Sequence, residues 1–445
     1  MKTTRIFKAA VLTAAAALTA ILPFSPAGAE EEGQTITEGD VTYRIVSESA
    51  FISGCSNDAS SVEVPEEIDG HAVVGIDENA FAEHESLISV KLPETITSLG
   101  ASAFAGCSSL TTVNIPEKVT EIPENCFALC SVLSQCSIPE GVQKIGNSAF
   151  TSIEDMSWLT LPKGLTEIGN YAFAYSGVPA ELVIPEGLTT MGSMALYYCD
   201  TLESVTIPAT LTDLGTLAFL GSKKLKDVNV ADGNETYCDD HGIMFSKDKK
   251  TMYFYGAGRD VESYTIPEGV TTLGDAVFFA NEHLKKVVMP EGIVYVGSAV
   301  FSNCTSLTDV NIPSTLNYIS ESMFCDCEAL KKIEIPNTVQ TIYEYAFLNC
   351  GIRKITIPSS VLRLNDNCLG FFDDKNGNYF KYKEFEITGY KATAAKTYAD
   401  KNDIDFHSLD GIEISPIVVG CIIGAVVLAG IVVFIVVLVK KKSEY

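Results

Sequence analysis

The apolar positions of this chain recur in a unit of 23 residues, and the period inside each unit changes partway through. The stretch from Leu307 to Cys327 shows it most plainly. Val310 and Ile312 alternate with Asp309 and Asn311, the pattern of a half-buried strand. Pro313 has no N–H to continue a ladder and ends that strand. Leu316 and Ile319 then return to the interior. Met323-Phe324 followed by Cys327 keeps the three-residue spacing of a single helical turn. Each unit is therefore predicted to be one strand and one short helical turn.

The prolines show how far the unit extends. Pro93, Pro116, Pro139, Pro162, Pro185 and Pro208 stand 23 residues apart, and Ala231 takes the next slot. The lattice resumes at Pro267, Pro290, Pro313 and Pro336 and closes one residue early at Pro358. Pro65, 28 residues before Pro93, marks the first rung. A fixed period in the twenties is the signature of a solenoid, whose rungs bury too little apolar surface to fold singly and must stack. Residues 60–371 make up this array. Residues 30–59, with a short strand Val41–Val46, read as a cap over the first rung's open edge. Residues 232–262 read as a hairpin insertion, Ile243–Phe245 and Met252–Tyr255 flanking Ser246–Lys250. Residues 372–410, with Phe385–Ile387, a helical stretch Ala392–Asn402 and Ile404–Phe406, form the closing cap.

Both ends follow other rules. Lys2, Arg5 and Lys8 precede an apolar run from Ala9 to Leu22, and Ala27-Gly28-Ala29 supplies a cleavage site, so residues 1–29 read as a secretory signal peptide. Ile417 to Val439 is an unbroken apolar run, and residues 411–439 read as one membrane helix. Lys440-Lys441-Lys442 follows at once, which places the tail 440–445 in the cytoplasm and the bulk of the chain outside the cell. Gly420 and Gly424 have the spacing that packs membrane helices, a route to a weak homodimer.

Charge narrows the partners. The net charge is −26, and the part outside the two ends holds 25 basic against 56 acidic residues. Such a surface excludes nucleic acid as a partner and resists adsorption to anionic lipid. The cysteines follow the repeat rather than a disulfide framework. Cys107, Cys130, Cys199, Cys304, Cys327 and Cys350 share one slot three residues after the rung's aromatic or leucine position, which a small hydrophobe fills. Side chains in register on adjacent rungs lie about 4.8 Å apart, beyond the disulfide Cβ spacing of about 3.8 Å.

The phrasing L-x-x-V-x-I-P-x-x-L-T-x-I-G-x-x-A-F-x-x-C, nearly complete from Leu87 to Cys107, resembles the BspA-like, or Treponema pallidum-type, leucine-rich repeat family. The opening Pro65–Ile76, the interrupting Gly242–Lys250 and the closing Ile387–Phe406 resemble that family's first rung, hairpin and terminal element. The resemblance spans about residues 40–408. It implies a repeat solenoid, a right-handed leucine-rich repeat array, on a bacterial cell surface, in a family associated with adhesion to host or microbial ligands. The departures are Ala231 for Pro, Val277-Phe278 and Val300-Phe301 for Ala-Phe, and the early last rung.

No enzyme signature stands out. His71, His84, His241, His283 and His407 are scattered and read as solvated surface groups, without the spacing of a metal site. The acidic run Asp373–Asn378 lacks the sixth-position glycine of an EF-hand loop, where counting from Asp374 gives Tyr379. No cofactor is implied. Because inward slots fix the fold, binding must come from outward slots of the stacked strands. Trp158, the only tryptophan, falls by phase on that face, where it would either anchor a contact or cover a neighbour. Lys226, Lys285, Lys286, Lys331, Lys332, Arg353 and Lys354 collect on the same face in the later rungs. They read either as a site for an acidic ligand or as compensation for the acidic turns after each proline. The resulting expectation is a membrane-anchored surface protein that binds an extracellular protein or glycan. A surface spacer without a ligand and an unrecognised glycan- or wall-active enzyme are the alternatives.

Overall fold

The structure, a computed structural model, describes residues 33–374 and 377–411. The expected signal peptide, the expected membrane helix beyond its first residue and the expected cytoplasmic tail lie outside the described residues. No helix among the described residues is long and apolar enough to cross a membrane.

The chain winds into a solenoid whose rungs carry two short parallel strands, where the sequence pattern predicts one. The first is the expected Val-x-Ile strand. It stacks in blocks of three: Ser61–Glu63 with Ser89–Lys91 and Thr112–Val113, then Glu181–Val183, Ser204–Ile207 and Asp227–Val230, then Ser263–Thr265, Lys286–Val288 and Asp309–Val310. The second strand is only two residues long, as in Glu121–Ile122, Lys144–Ile145 and Glu167–Ile168, and pairs in parallel at a shift of one repeat. It forms where Leu-Thr-x-Ile follows the proline. Its inward residue is the isoleucine that the sequence reading places in the core, and Ile122, Ile145 and Ile168 are buried.

The predicted helical turn is not helical, which corrects the expected rung. The turn segments before the last instead hold two residues at positive φ four positions apart, such as Ser102 and Gly106, or Asn125 and Leu129. The amides between them alternate. Ala103, Ala105 and Cys107 donate three residues back within the rung, while Ser102, Phe104 and Gly106 donate to the carbonyls of Glu124, Cys126 and Ala128 on the next rung. A helix would satisfy every amide internally. This segment keeps half of them for stacking, so all three sides of the solenoid are tied rung to rung.

Inside, phenylalanines stack in a column. Ring centroids from Phe81 through Phe104 and Phe127 to Phe150 lie 4.9, 5.2 and 5.4 Å apart, and Phe278, Phe301, Phe324 and Phe347 repeat the arrangement at 5.0–5.5 Å. The slot three residues further on is more specific than a small hydrophobe. Cys130 Sγ donates to Phe104 O at 3.1 Å and Cys350 Sγ to Phe324 O at 2.9 Å. Where the residue differs, Ser176 Oγ and Asn281 Nδ2 make the corresponding bonds to Phe150 O and Gly256 O. Most rungs fill the slot with a side chain that can donate, and Ile153, buried without a donor, is the exception. All twelve described cysteines are free thiols. Burial pushes the Cys199 and Cys304 thiols up to about 12, which keeps them protonated at neutral pH. Iodoacetamide at pH 8 should therefore leave the slot cysteines unmodified in the native chain and alkylate them all in urea, read by intact mass. Rapid native labelling of Cys130 or Cys327 would mean that the rungs open.

The caps are more elaborate than expected. Gln34–Glu38, Val41–Val46 and Ser49–Cys55 form an antiparallel meander whose last strand pairs in parallel with His71–Ile76 of the first rung. His84 is buried and not a surface group. Its Nδ1 faces Phe81 O and its Nε2 faces Cys55 O at 2.8 Å, joining rung to cap. At the other end, Phe371–Asp373 and Tyr379–Lys381 form a hairpin across the acidic run. Asp374 there accepts the Asn378 amide and Nδ2. Glu386–Gly389 and Asp405–Ser408 extend the first sheet beyond Lys354–Thr356, around the helix Ala394–Lys401.

The insertion holds three strands rather than two: Tyr237–Asp240, Ile243–Ser246 and Thr251–Phe254. The first two are antiparallel, as are the second and third, and the last joins Thr272–Leu273 in parallel. The hydrophobic core divides here into two clusters, one ending at Met244 and the other beginning with Ile243 and Phe245.

Candidate binding surfaces

Two outward faces are available, one per sheet. On the first, the basic residues that phase predicts are largely answered by acids, most of them one repeat away. Lys226 Nζ lies 3.1 Å from Glu203, Lys285 2.5 Å from Glu262 and Lys286 2.6 Å from Asp309. Lys354 pairs with Glu386 at 3.0 Å, and that hydrogen bond holds the Glu386 carboxyl below the usual carboxylate range. Arg353 donates to the carbonyls of Cys350 and Ile352 and lies over the Tyr382 ring at 3.5 Å. Lys331 and Lys332 have no carboxylate within ion-pair distance among the described residues, and they border an open depression with Thr305, Thr308 and Glu328. Four of the seven basic residues are thus paired with carboxylates, Arg353 is held by carbonyls and a ring, and Lys331 and Lys332 have no ion-pair partner among the described residues.

Trp158 does not stand on that face as phase implies. Its rung forms no first-sheet strand, so strict alternation fails there. The indole N–H donates to Leu133 O at 3.2 Å and the ring meets Phe150 edge-on at 6.2 Å. It is half-buried and covers a neighbour.

The second sheet carries what sequence reasoning missed. Tyr295, Tyr318 and Tyr343 come from successive rungs and touch edge to face, with centroids 6.5 and 6.1 Å apart. Tyr318 hydroxyl also bonds the rung before it, accepting Val296 N at 3.0 Å. Around this strip Val294, Tyr295 and Leu362 are 59, 51 and 73% exposed. The signal was present as aromatic residues next to the Leu-Thr-x-Ile positions, but without a second strand there was no outward face to assign them to. Among the described residues no group of three or more His, Cys, Asp or Glu side chains is placed to hold a metal ion.

Solved structures share this architecture. A leucine rich cell surface protein from Faecalibacterium prausnitzii A2-165 aligns with a TM-score of 0.64 and 24% identity, covering 83% of this chain and 98% of its own. The pneumococcal vaccine antigen PcpA aligns with a TM-score of 0.54 and 17% identity, covering 85% and 99%. No curated protein matches the sequence. The description of the BspA type leucine rich repeat region matches residues 44–179, 133–240 and 250–375. With the 23-residue rung, the stacked phenylalanines and the interrupting hairpin all in phase, the chain belongs to the BspA-type leucine-rich repeat family.

Proposed function

We propose that this chain is a non-catalytic bacterial surface protein, held by a membrane helix at 411–439, whose outward sheet faces bind an extracellular protein or glycan. The observation that carries the reading is the tyrosine strip. Three rungs present contacting aromatic rings flanked by exposed Val294 and Leu362 on a chain of net charge −26. Contiguous apolar groups on a charged surface mark contact sites, and tyrosine offers a large rigid area with a polar tip. The cell-surface description of the Faecalibacterium neighbour supports the placement. Lys331 and Lys332 are the part of the basic face available to an acidic group on the same ligand.

Replacing both Tyr295 and Tyr343 with Ser should reduce capture of partners from host and microbial extracts by at least about tenfold while the melt shifts little. Retained capture would remove the strip from the interface. Protease applied to intact cells should clip the chain up to about residue 411 and leave a small stub; an ectodomain digested only after lysis would reverse the orientation. The rung-to-rung ion pairs of Lys226, Lys285, Lys286 and Lys354 favour a second reading, a spacer whose first sheet is merely charge-compensated. That reading stands if neither face binds.

A further inference from the structure

The insertion leaves one rung without its turn segment, and the place is a pocket. In the preceding rung, Met194, Leu196 and Tyr198 donate their amides to Thr216, Ala218 and Leu220 carbonyls at 3.2, 2.8 and 2.9 Å. Leu217, Phe219 and Gly221 hold the same positions one repeat later, with the same positive φ at Leu217 and Gly221. Their amides have no hydrogen-bond partner among the described residues. The following turn segment resumes the pattern at once, with Ala276, Phe278 and Ala280 donating to Ser298, Val300 and Ser302. Between the two, only the Tyr255 amide reaches across, to Val277 O at 3.0 Å.

The vacated space is a cavity of about 290 Å³ between residues 214–222 and 274–279, floored by Met244, Phe254 and Tyr255. Phe219 meets Phe254 edge-on at 5.7 Å and Tyr255 lies 4.9 Å from Phe278, so the inward aromatic position is already filled from within. What is missing is backbone. Leu217 and Leu220 on one side and Ala276 and Phe279 on the other belong to one apolar cluster that spans the gap.

We propose that this pocket binds a short peptide of about five residues from a partner protein, with small or apolar side chains, which takes the conformation of a turn segment and whose alternate carbonyls accept the Leu217, Phe219 and Gly221 amides. Wherever such a segment is paired, each of its alternate amides has its own carbonyl, as Ser102, Phe104 and Gly106 have those of Glu124, Cys126 and Ala128, so three donors call for three acceptors in a row. In the turn segments from 79–83 to 194–198 and from 276–280 to 322–326, the complement of this ledge is a backbone with carbonyls at alternate positions. Adding such a segment to an open ladder gives affinity through the main chain and specificity through side-chain pockets. The site stands apart from the tyrosine strip, sharing only Tyr295 at its edge.

The probe is the acetylated, amidated heptapeptide Gly-Ser-Ala-Val-Phe-Ser-Asn, the chain's own turn segment from 297 to 303. Residue-resolved hydrogen exchange is measured by NMR on the full chain. Without peptide, the Leu217, Phe219 and Gly221 amides should exchange at least about 100-fold faster than those of Met194, Leu196 and Tyr198. Saturating peptide should slow all three at least about tenfold, and a scrambled peptide should not. Thr216→Trp at the exposed rim and Gly274→Leu on the far wall should each abolish the protection. If either variant fails to fold, the other and the scrambled peptide supply the control. Amides already slow in the free chain, no protection by peptide, or protection by a chitin hexasaccharide instead would each overturn the proposal.

Discussion

Phe324→Ala should destabilise the array by about 3–5 kcal/mol in a urea melt, because it opens a cavity in the middle of a continuous column. Phe324 is fully buried, with Phe301 at 5.5 Å above it and Phe347 at 5.4 Å below, both nearly parallel. Neither neighbour can move into the gap, since each is held by its own rung. The Phe324 carbonyl accepts both the Cys327 amide and the Cys350 thiol, so the truncated site also stays pinned by backbone. Val183→Ala, on the outer side of a first-sheet strand, should cost less than about 0.5 kcal/mol. Because rungs couple mainly to their neighbours, the loss should appear first as faster hydrogen exchange in the 301–350 rungs. Equal effects of the two substitutions would mean that the inward and outward slots are misassigned.

The column, the rung length and the sites of both caps were legible in the sequence because repetition multiplies a weak signal. One Phe at the right offset means little, whereas the same offset over many rungs leaves one solution. Features that do not lengthen the pattern were lost. A two-residue strand such as Lys144–Ile145 gives alternation nothing to repeat, and Leu316 and Ile319, three apart, mimic a helical face. The turn segment misled for the same reason. Positions 323, 324 and 327 fit a helix, but only hydrogen bonds to the next rung distinguish that from a segment of alternating amides. The face assigned to Trp158 failed because phase presumes a first-sheet strand, and its rung has none there. The ion pairs were legible but overlooked, since Glu203 and Lys226, or Lys286 and Asp309, stand one repeat apart in the sequence. The pocket follows from the missing turn after Ala231, where the proline lattice stops, although the unpaired amides themselves could be found only in three dimensions.

Gly192→Ala should destabilise the chain by about 2–4 kcal/mol, although the same change elsewhere stabilises it. Gly146, Gly169, Gly192 and Gly215 occupy the corner where the second strand passes into the turn segment. Each donates its amide to the preceding rung, as Gly192 does to Ile168 O at 2.8 Å, which draws its Cα against the peptide beneath. A methyl group on Gly192 would meet Asn170 N at 2.4 Å and Gly169 C at 2.5 Å, backbone atoms that cannot swing aside as a side chain would. Relief requires separating two rungs, which stretches the bonds on all three sides at once. Gly292→Ala is the counterpart, since its added carbon would find Val270 O at 3.7 Å and nothing closer. There the smaller entropy of the unfolded alanine chain should prevail, raising stability by about 0.4–1 kcal/mol. Ser320 shows that a later rung accepts a Cβ at this corner, its hydroxyl bonding Gly297 O at 2.6 Å. A Gly192→Ala chain that melts no earlier than wild type would therefore mean that the middle rungs can spread as that one does, and that hydrogen bonds rather than close backbone contact set the rung spacing.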